Sequence, residues 1–298
     1  MNDRMLDTSI RRSATEAWYV AGRASQRDRY ARCLDMLTPR LPEAALVYDL
    51  GAGTGHFARL LAAHARQVIG VERLRERTDI CRADNADAPN LQFLEGDFLD
   101  LDVAEQSADA VCALEMLYYL APQDWDRFLD KIVRTLKPGG LLLASINAFP
   151  RDGIDGEAAL LRAVGERLQM LDIRHMHRMY YYRLELPLIR LLDEITYLEQ
   201  IKVFYPHTLA VEHVVYSPWL DRVLLPPSLP LDRVVLPAAR RLALLTLGSG
   251  ALYRLITGAS RLLAPRASRS QTIILARRPP GKSTADGTGD RHGAHHPG

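Results

Sequence analysis

The stretch Leu46 to Ala63, LVYDLGAGTGHFARLLAA, decides how the rest of the chain is read. An apolar run carries Asp49, three glycines follow at every second position (Gly51, Gly53, Gly55), and apolar residues then recur at helical spacing. Glycines let a backbone approach a ligand closely, and a helix that starts straight after them offers unpaired N–H groups. The segment reads as strand, bare loop and helix, which is where a doubly wound sheet opens its ligand crevice. The loop does not name its ligand. A dinucleotide fingerprint spaces its glycines G-x-G-x-x-G, whereas this one reads G-x-G-x-G.

Outward from the loop a regular rhythm appears. The apolar runs ALVYDL, QVIGVE, LQFLEG, ADAVCAL and GLLLASIN alternate with helical patterns near 57–65, 73–85 and 124–136. Buried strands alternating with helices predict an α/β domain, a parallel sheet with helices on both faces. Upstream, 16–38 has an amphipathic helical pattern that ends before the connector TPRLPE. Beyond Pro150 the pattern loosens: helices are expected at 157–171 and 183–194, a strand at TYLEQIKVFY (196–205), and a last strand at QTIILARR (271–278).

The chain so divides into an N-terminal helical cap (1–44), a Rossmann-like domain (45–205 with 270–278), a helical insertion (206–269) and a tail (279–298). The tail is polar enough to be expected disordered. The insertion is apolar and basic together, with eight arginines against Glu212, Asp221 and Asp232. It is read as extra helices packed on the sheet edge, as a lid that builds an acceptor pocket or a homodimer contact, or as an amphipathic surface resting on anionic lipid.

Bulk properties exclude several classes. A formal net charge of +2 gives no global field for nucleic acid. All the cations except Lys131, Lys137, Lys202 and Lys282 are arginines, which fits a GC-rich bacterial genome. Cys33, Cys81 and Cys112 match no metal or redox spacing, so no metal is expected and a reducing compartment is favoured. No signal-peptide core is visible, and the longest apolar stretch, LALLTLGSGALY, falls short of the ~18 residues that a spanning helix needs. A cytoplasmic protein is expected, at most peripheral to a membrane.

Three further elements narrow the ligand. VIGVER ends a strand on Glu72, where a carboxylate accepts from the two hydroxyls of a ribose. EGDFLDL places Asp97 after the third strand, where a carboxylate accepts from an adenine amine. LKPGGLLLASIN supplies a Pro138-Gly139-Gly140 turn ahead of a long apolar strand. With VYDLGAGTG and ADAVCALEMLYYL these elements, in this order across 46–147, resemble the class I S-adenosylmethionine-dependent methyltransferases.

That resemblance implies a seven-stranded sheet of order 3-2-1-4-5-7-6 with the last strand antiparallel, TYLEQIKVFY and QTIILARR being strands six and seven. It implies S-adenosylmethionine as cofactor and S-adenosylhomocysteine as product. Asp49 and the backbone of Gly51, Ala52, Gly53 and Gly55 would hold the methionine portion, and Glu72 the ribose with Arg73 beside it. Asp97 would meet the adenine amine and the Phe98 amide a ring nitrogen. Glu115 and Tyr118, just after strand four, would floor the site, Glu115 also facing the cofactor.

The same segment bears on the acceptor. EMLYYL lacks the Asn/Asp/Ser-Pro-Pro-aromatic stretch of amino-methylating enzymes that act on DNA bases. It is instead similar to small-molecule methyltransferases and, with SQRDRYARCLDML upstream, to sugar N-methyltransferases of nodulation-factor synthesis. Candidate bases are His56, His175, His177, His207 and His213; RHMHRMYYYR places His177 where substrate contacts lie in the family. A methyltransferase acting on an oxygen or nitrogen of a small natural product, sugar or phenol is the leading reading. Its rivals are a lipid- or glycan-linked acceptor at a membrane, a nicotinamide oxidoreductase, and a non-catalytic cofactor-binding subunit.

Overall fold

The computed structural model describes residues 22–120, 122–147, 156–177, 188, 236–263 and 269–280. Seven strands form one sheet: β1 (Leu46–Leu50), β2 (Gln67–Glu72), β3 (Leu91–Glu95), β4 (Ala108–Leu114), β5 (Leu136–Asn147), β6 (Gln169–His177) and β7 (Arg269–Arg277). Their order is 3-2-1-4-5-7-6. β1 to β5 pair in parallel, and β7 runs antiparallel to both β5 and β6. This is the order that the sequence resemblance implies.

The central strands are apolar because both their faces are covered. Alternate residues go to opposite sides. Val47, Val68, Cys112 and Leu143 face Met36 and Leu37 of α1 (Ala24–Leu37), Phe57 and Leu61 of α2 (His56–Ala62) and Cys81 of α3 (Arg75–Asp84). Tyr48, Leu50, Val111 and Leu142 face Phe128, Leu129 and Ile132 of α4 (Trp125–Thr135) and Leu160 of α5 (Gly156–Gly165). The Phe93 ring of β3 lies over its register partner Gly70 on β2, where a Cβ would stand 2.5 Å from it.

One strand lies where the sequence pattern did not put it. β6 is formed by Gln169–His177, so TYLEQIKVFY is not the sixth strand of this sheet; it lies outside the described residues. Two register irregularities interrupt the pairing of β6 with β7, and they erase the two-residue period by which strands are read. The expected helix at 157–171 stops at Gly165, and residues 169–171 belong to β6 instead. Apart from Leu188, the expected helix at 183–194 falls outside the described residues, as do the tail from 281 on and 1–21 of the cap.

The chain between β6 and β7 carries two described helices, α6 (Leu236–Gly248) and α7 (Gly250–Leu263). They attach to α1. The Tyr253 hydroxyl donates to Asp28 Oδ2 at 2.6 Å, and the Arg27 guanidinium donates to the Gly248 carbonyl at 2.7 Å.

Candidate functional site

The glycine loop leaves β1 with Gly51, Gly53 and Gly55 all at positive φ (68°, 63° and 80°), a conformation that favours glycine over any side chain. Its amides are tied to β2. Gly51 and Ala52 donate to the Val71 carbonyl at 2.8 and 3.0 Å, and Gly53 donates to Glu72 Oε2 at 2.9 Å. The Cys81 thiol donates to the Gly53 carbonyl at 3.3 Å. Burial, with Glu72 and Asp49 nearby, pushes that thiol up to about 12, so it stays a neutral donor. What the loop offers a ligand is therefore close approach more than free donors: a Cβ on Gly53 would meet nothing nearer than 4.0 Å. Gly55 is different. A Cβ there would lie 2.9 Å from both Phe93 and the Asn85 amide, so this glycine also seats the loop on α3 and β3.

Charges converge beneath the loop. Asp49, at the end of β1, is buried and its Oδ2 has no hydrogen-bond partner. Burial, then the neighbouring Glu72 carboxylate, raise its carboxyl to about 7, against an opposing hydrogen bond from the Ala58 backbone and the charge of Arg29. Glu72, also buried, accepts one backbone amide on each oxygen, from Gly53 and from Leu74 (3.0 Å). A carboxylate oxygen has two acceptor sites, so each retains one for a ligand.

Facing these carboxylates from α1 is Arg29, only 8% exposed, with an unpartnered Nε. Burial works against its charge; Tyr30 and Glu115 beside it more than restore the balance. A buried cation with an open donor is a costly thing to maintain in an apolar interior.

Glu115 directly follows β4 with φ 56°, a left-handed backbone that costs a non-glycine residue about 1–3 kcal/mol. Ser145 of β5 holds it there. The Glu115 amide donates to the Ser145 carbonyl and hydroxyl, both at 3.1 Å, and the hydroxyl donates back to Glu115 Oε1 at 2.9 Å. Tyr118 lies in the short 3-10 turn Leu117–Tyr119 that follows. Asp97 is half-buried after β3 and takes the Leu99 amide on Oδ1 at 2.9 Å. Phe98 is buried edge-on against Phe128, with the Lys131 ammonium 5.1 Å from its ring centre, and Arg73 is exposed.

The structure thus brings Asp49, the glycines, Glu72 and Glu115 together at the carboxyl ends of β1, β2 and β4. It does not bring His177 to them: that residue stands on β6, three strands from β4, about 14 Å across the sheet. His175 is also on β6, its Nδ1 3.0 Å from the Thr272 hydroxyl and 3.6 Å from Glu157. His56 opens α2 beside the loop, and His207 and His213 are outside the described residues. Arg29 and Ser145 are the residues that sequence reading misses. Arg29 left a signal: with Cys33, Met36 and Leu37 it lies on the buried stripe of α1, a charge where the helical period calls for an apolar residue.

Comparison with known proteins gives the same answer as the geometry. Residues 47–140 match a family described as "Methyltransferase domain". A carboxy-S-adenosyl-L-methionine synthase of Aliivibrio fischeri is 36% identical over 107 residues, which is 33% of this chain and 43% of that protein. A dimethylglycine N-methyltransferase of Parasynechococcus marenigrum is 29% identical over 156 residues, 50% of this chain and 53% of the other. The chain therefore spans about half, or less, of the length of these relatives. An N-methyltransferase of Bradyrhizobium japonicum, solved with S-adenosyl-L-homocysteine, shares the fold at 20% identity and a TM-score of 0.51, over 56% of this chain and 88% of that one. Residues 47–140 thus carry a methyltransferase domain, on a seven-stranded sheet of order 3-2-1-4-5-7-6.

Proposed function

With that domain as the premise, we propose that the chain transfers the methyl group of S-adenosylmethionine to an oxygen or nitrogen of a small-molecule acceptor. The observation that carries this is the charge of the crevice. Asp49, Glu72 and Glu115 stand against one buried cation, Arg29, so the ionised site is net negative. Such a site suits a ligand that presents a carboxylate, an ammonium and a sulfonium, net positive. It repels the pyrophosphate of a nicotinamide dinucleotide.

S-adenosylmethionine supplies a methyl group on a sulfonium, an electrophile that needs chiefly an aligned nucleophile within about 3–3.5 Å. The chain's residues divide the remaining work. Arg29 receives the ligand carboxylate on its open donor, and Asp49 the ammonium. Glu72 uses its spare acceptor sites for the ribose hydroxyls, Asp97 takes the adenine amine, and the bare backbone of Gly53 lets the ligand lie close. Glu115, fixed by Ser145, and Tyr118 form the floor towards the acceptor. A hydroxyl acceptor needs a base to take its proton, while an amine presents its lone pair once neutral.

Calorimetric titration of the purified chain with S-adenosylhomocysteine, with NADH in parallel, tests this reading. Micromolar binding of the former and none of the latter is expected. A folded protein that ignores S-adenosylhomocysteine would overturn it. Sugars, phenols and lipid-linked compounds then form the acceptor screen, read by transfer of labelled methyl.

A further inference from the structure

Helices α6 and α7 present a surface that the sheet does not account for. Between Leu236 and Leu263 there are four arginines and no acidic residue. Ala243 and Leu247 of α6 and Tyr253 and Ser260 of α7 are buried. On the other side Leu242, Leu245, Leu255, Leu262 and Leu263 are 67 to 86% exposed. Water does not favour five such leucines on two adjoining helices, and contiguous exposed apolar patches mark contact surfaces.

The pattern of the charges says what contact this is. Three times an exposed arginine directly precedes an exposed leucine: Arg241-Leu242, Arg254-Leu255 and Arg261-Leu262. An apolar anchor beside a long cation suits the boundary between acyl chains and anionic headgroups, where the leucine enters and the guanidinium meets phosphate. Neither helix alone is long enough to cross a bilayer, although the two together have the length and composition of a bent span. At 13 and 14 residues each spans roughly 20 Å against a ~30 Å hydrocarbon core, and the pair is bent by 57° at Ser249. A second copy is a poor occupant, because a face with arginines and no acidic residue offers its twin no opposite charge.

We propose that the exposed face of α6 and α7 docks the protein on an anionic lipid surface, lying in the interface plane. The helices are held to α1, the helix that carries Arg29, by the Tyr253–Asp28 and Arg27–Gly248 hydrogen bonds. This inference stands on the face itself and is independent of methyl transfer.

The test is flotation of the full chain with vesicles of phosphatidylcholine alone or with about a third phosphatidylglycerol. Partition at least about tenfold stronger into the anionic vesicles is expected, and it is lost at about 0.5 M salt, where surface charges are screened. Near an anionic surface each arginine is worth about fivefold, so the triple variant Arg241→Gln/Arg254→Gln/Arg261→Gln loses roughly 100-fold. Leu255→Ser/Leu262→Ser weakens partition at low salt while its titration with S-adenosylhomocysteine stays that of the parent, which shows an intact fold. Equal binding to both vesicles, or to neither, overturns the proposal. So does a concentration-dependent dimer in sedimentation velocity that the leucine variant abolishes, since a second copy would then own the face.

Discussion

The two ends of the central strands are built from similar residues and do opposite things with them. Where the strands begin, Lys137, Asp109 and Arg278 each have partners. The Lys137 ammonium lies 2.8 Å from both oxygens of Asp109, one of which also accepts the Leu46 amide at 2.9 Å. Close by, the Arg278 guanidinium donates to the carbonyls of Val133 and Leu136, and the backbones of Gly139 and Arg278 are joined. Where β1, β2 and β4 end, Asp49 and Arg29 are buried with an open acceptor and an open donor. One end closes the fold. The other keeps polar capacity in reserve, and an interior tolerates that only where a ligand meets it.

Substitution at each end can break the contrast. The largest effect is expected at Arg29. Arg29→Met removes the one buried cation that faces the carboxylates among the described residues, and affinity for S-adenosylhomocysteine should fall by roughly 3 kcal/mol, with partial recovery in Arg29→Lys. Calorimetry checks it; a variant that loses stability yet binds as the parent does would make this end structural like the other. Asp109→Ala should show the reverse. It strands the Lys137 ammonium and the Leu46 amide, lowering unfolding free energy by about 2 kcal/mol in denaturant titration while leaving ligand affinity within about twofold.

The smallest and most selective effect is that of pH. Asp49 has its carboxyl raised in the folded state to about 7, so it adds stability at low pH and loses it as pH climbs through that value. The ammonium of the ligand needs the ionised form. Binding should therefore strengthen by about 25-fold between pH 5.5 and 7.5 while the ligand-free protein weakens over the same range. Asp49→Asn should flatten both trends. A binding profile that does not change in the variant would put the titrating group elsewhere.

How much of this was legible in the sequence follows from where the information sits. The five parallel strands and the glycine loop are local patterns: continuous apolar runs, and glycines where the backbone turns left-handed. Glu72 and Asp97 are legible because each follows a strand end at a fixed offset. β6 was not, because an edge strand with two register irregularities has no alternation to show, and Asp172, Arg174, His175 and His177 along it read as loop chemistry. Arg29 was hidden by company: Arg23, Arg27 and Arg32 surround it, and only its place on the buried stripe sets it apart. The left-handed Glu115 depends on Ser145, thirty residues away, a contact that no local period records.

Gly70 carries a consequence for how the family's sequences are free to drift. Its backbone is not among those at positive φ, so conformation alone would admit alanine; the Phe93 ring 2.5 Å from its absent Cβ forbids it. Gly139 is the converse, at φ 82° with open space around it, where asparagine fits. Two glycines that look alike in a sequence are thus constrained by different neighbours. Gly70 and Phe93 form a coupled pair: a larger residue becomes acceptable at 70 only after 93 has become smaller, so the order of substitutions is itself set by packing.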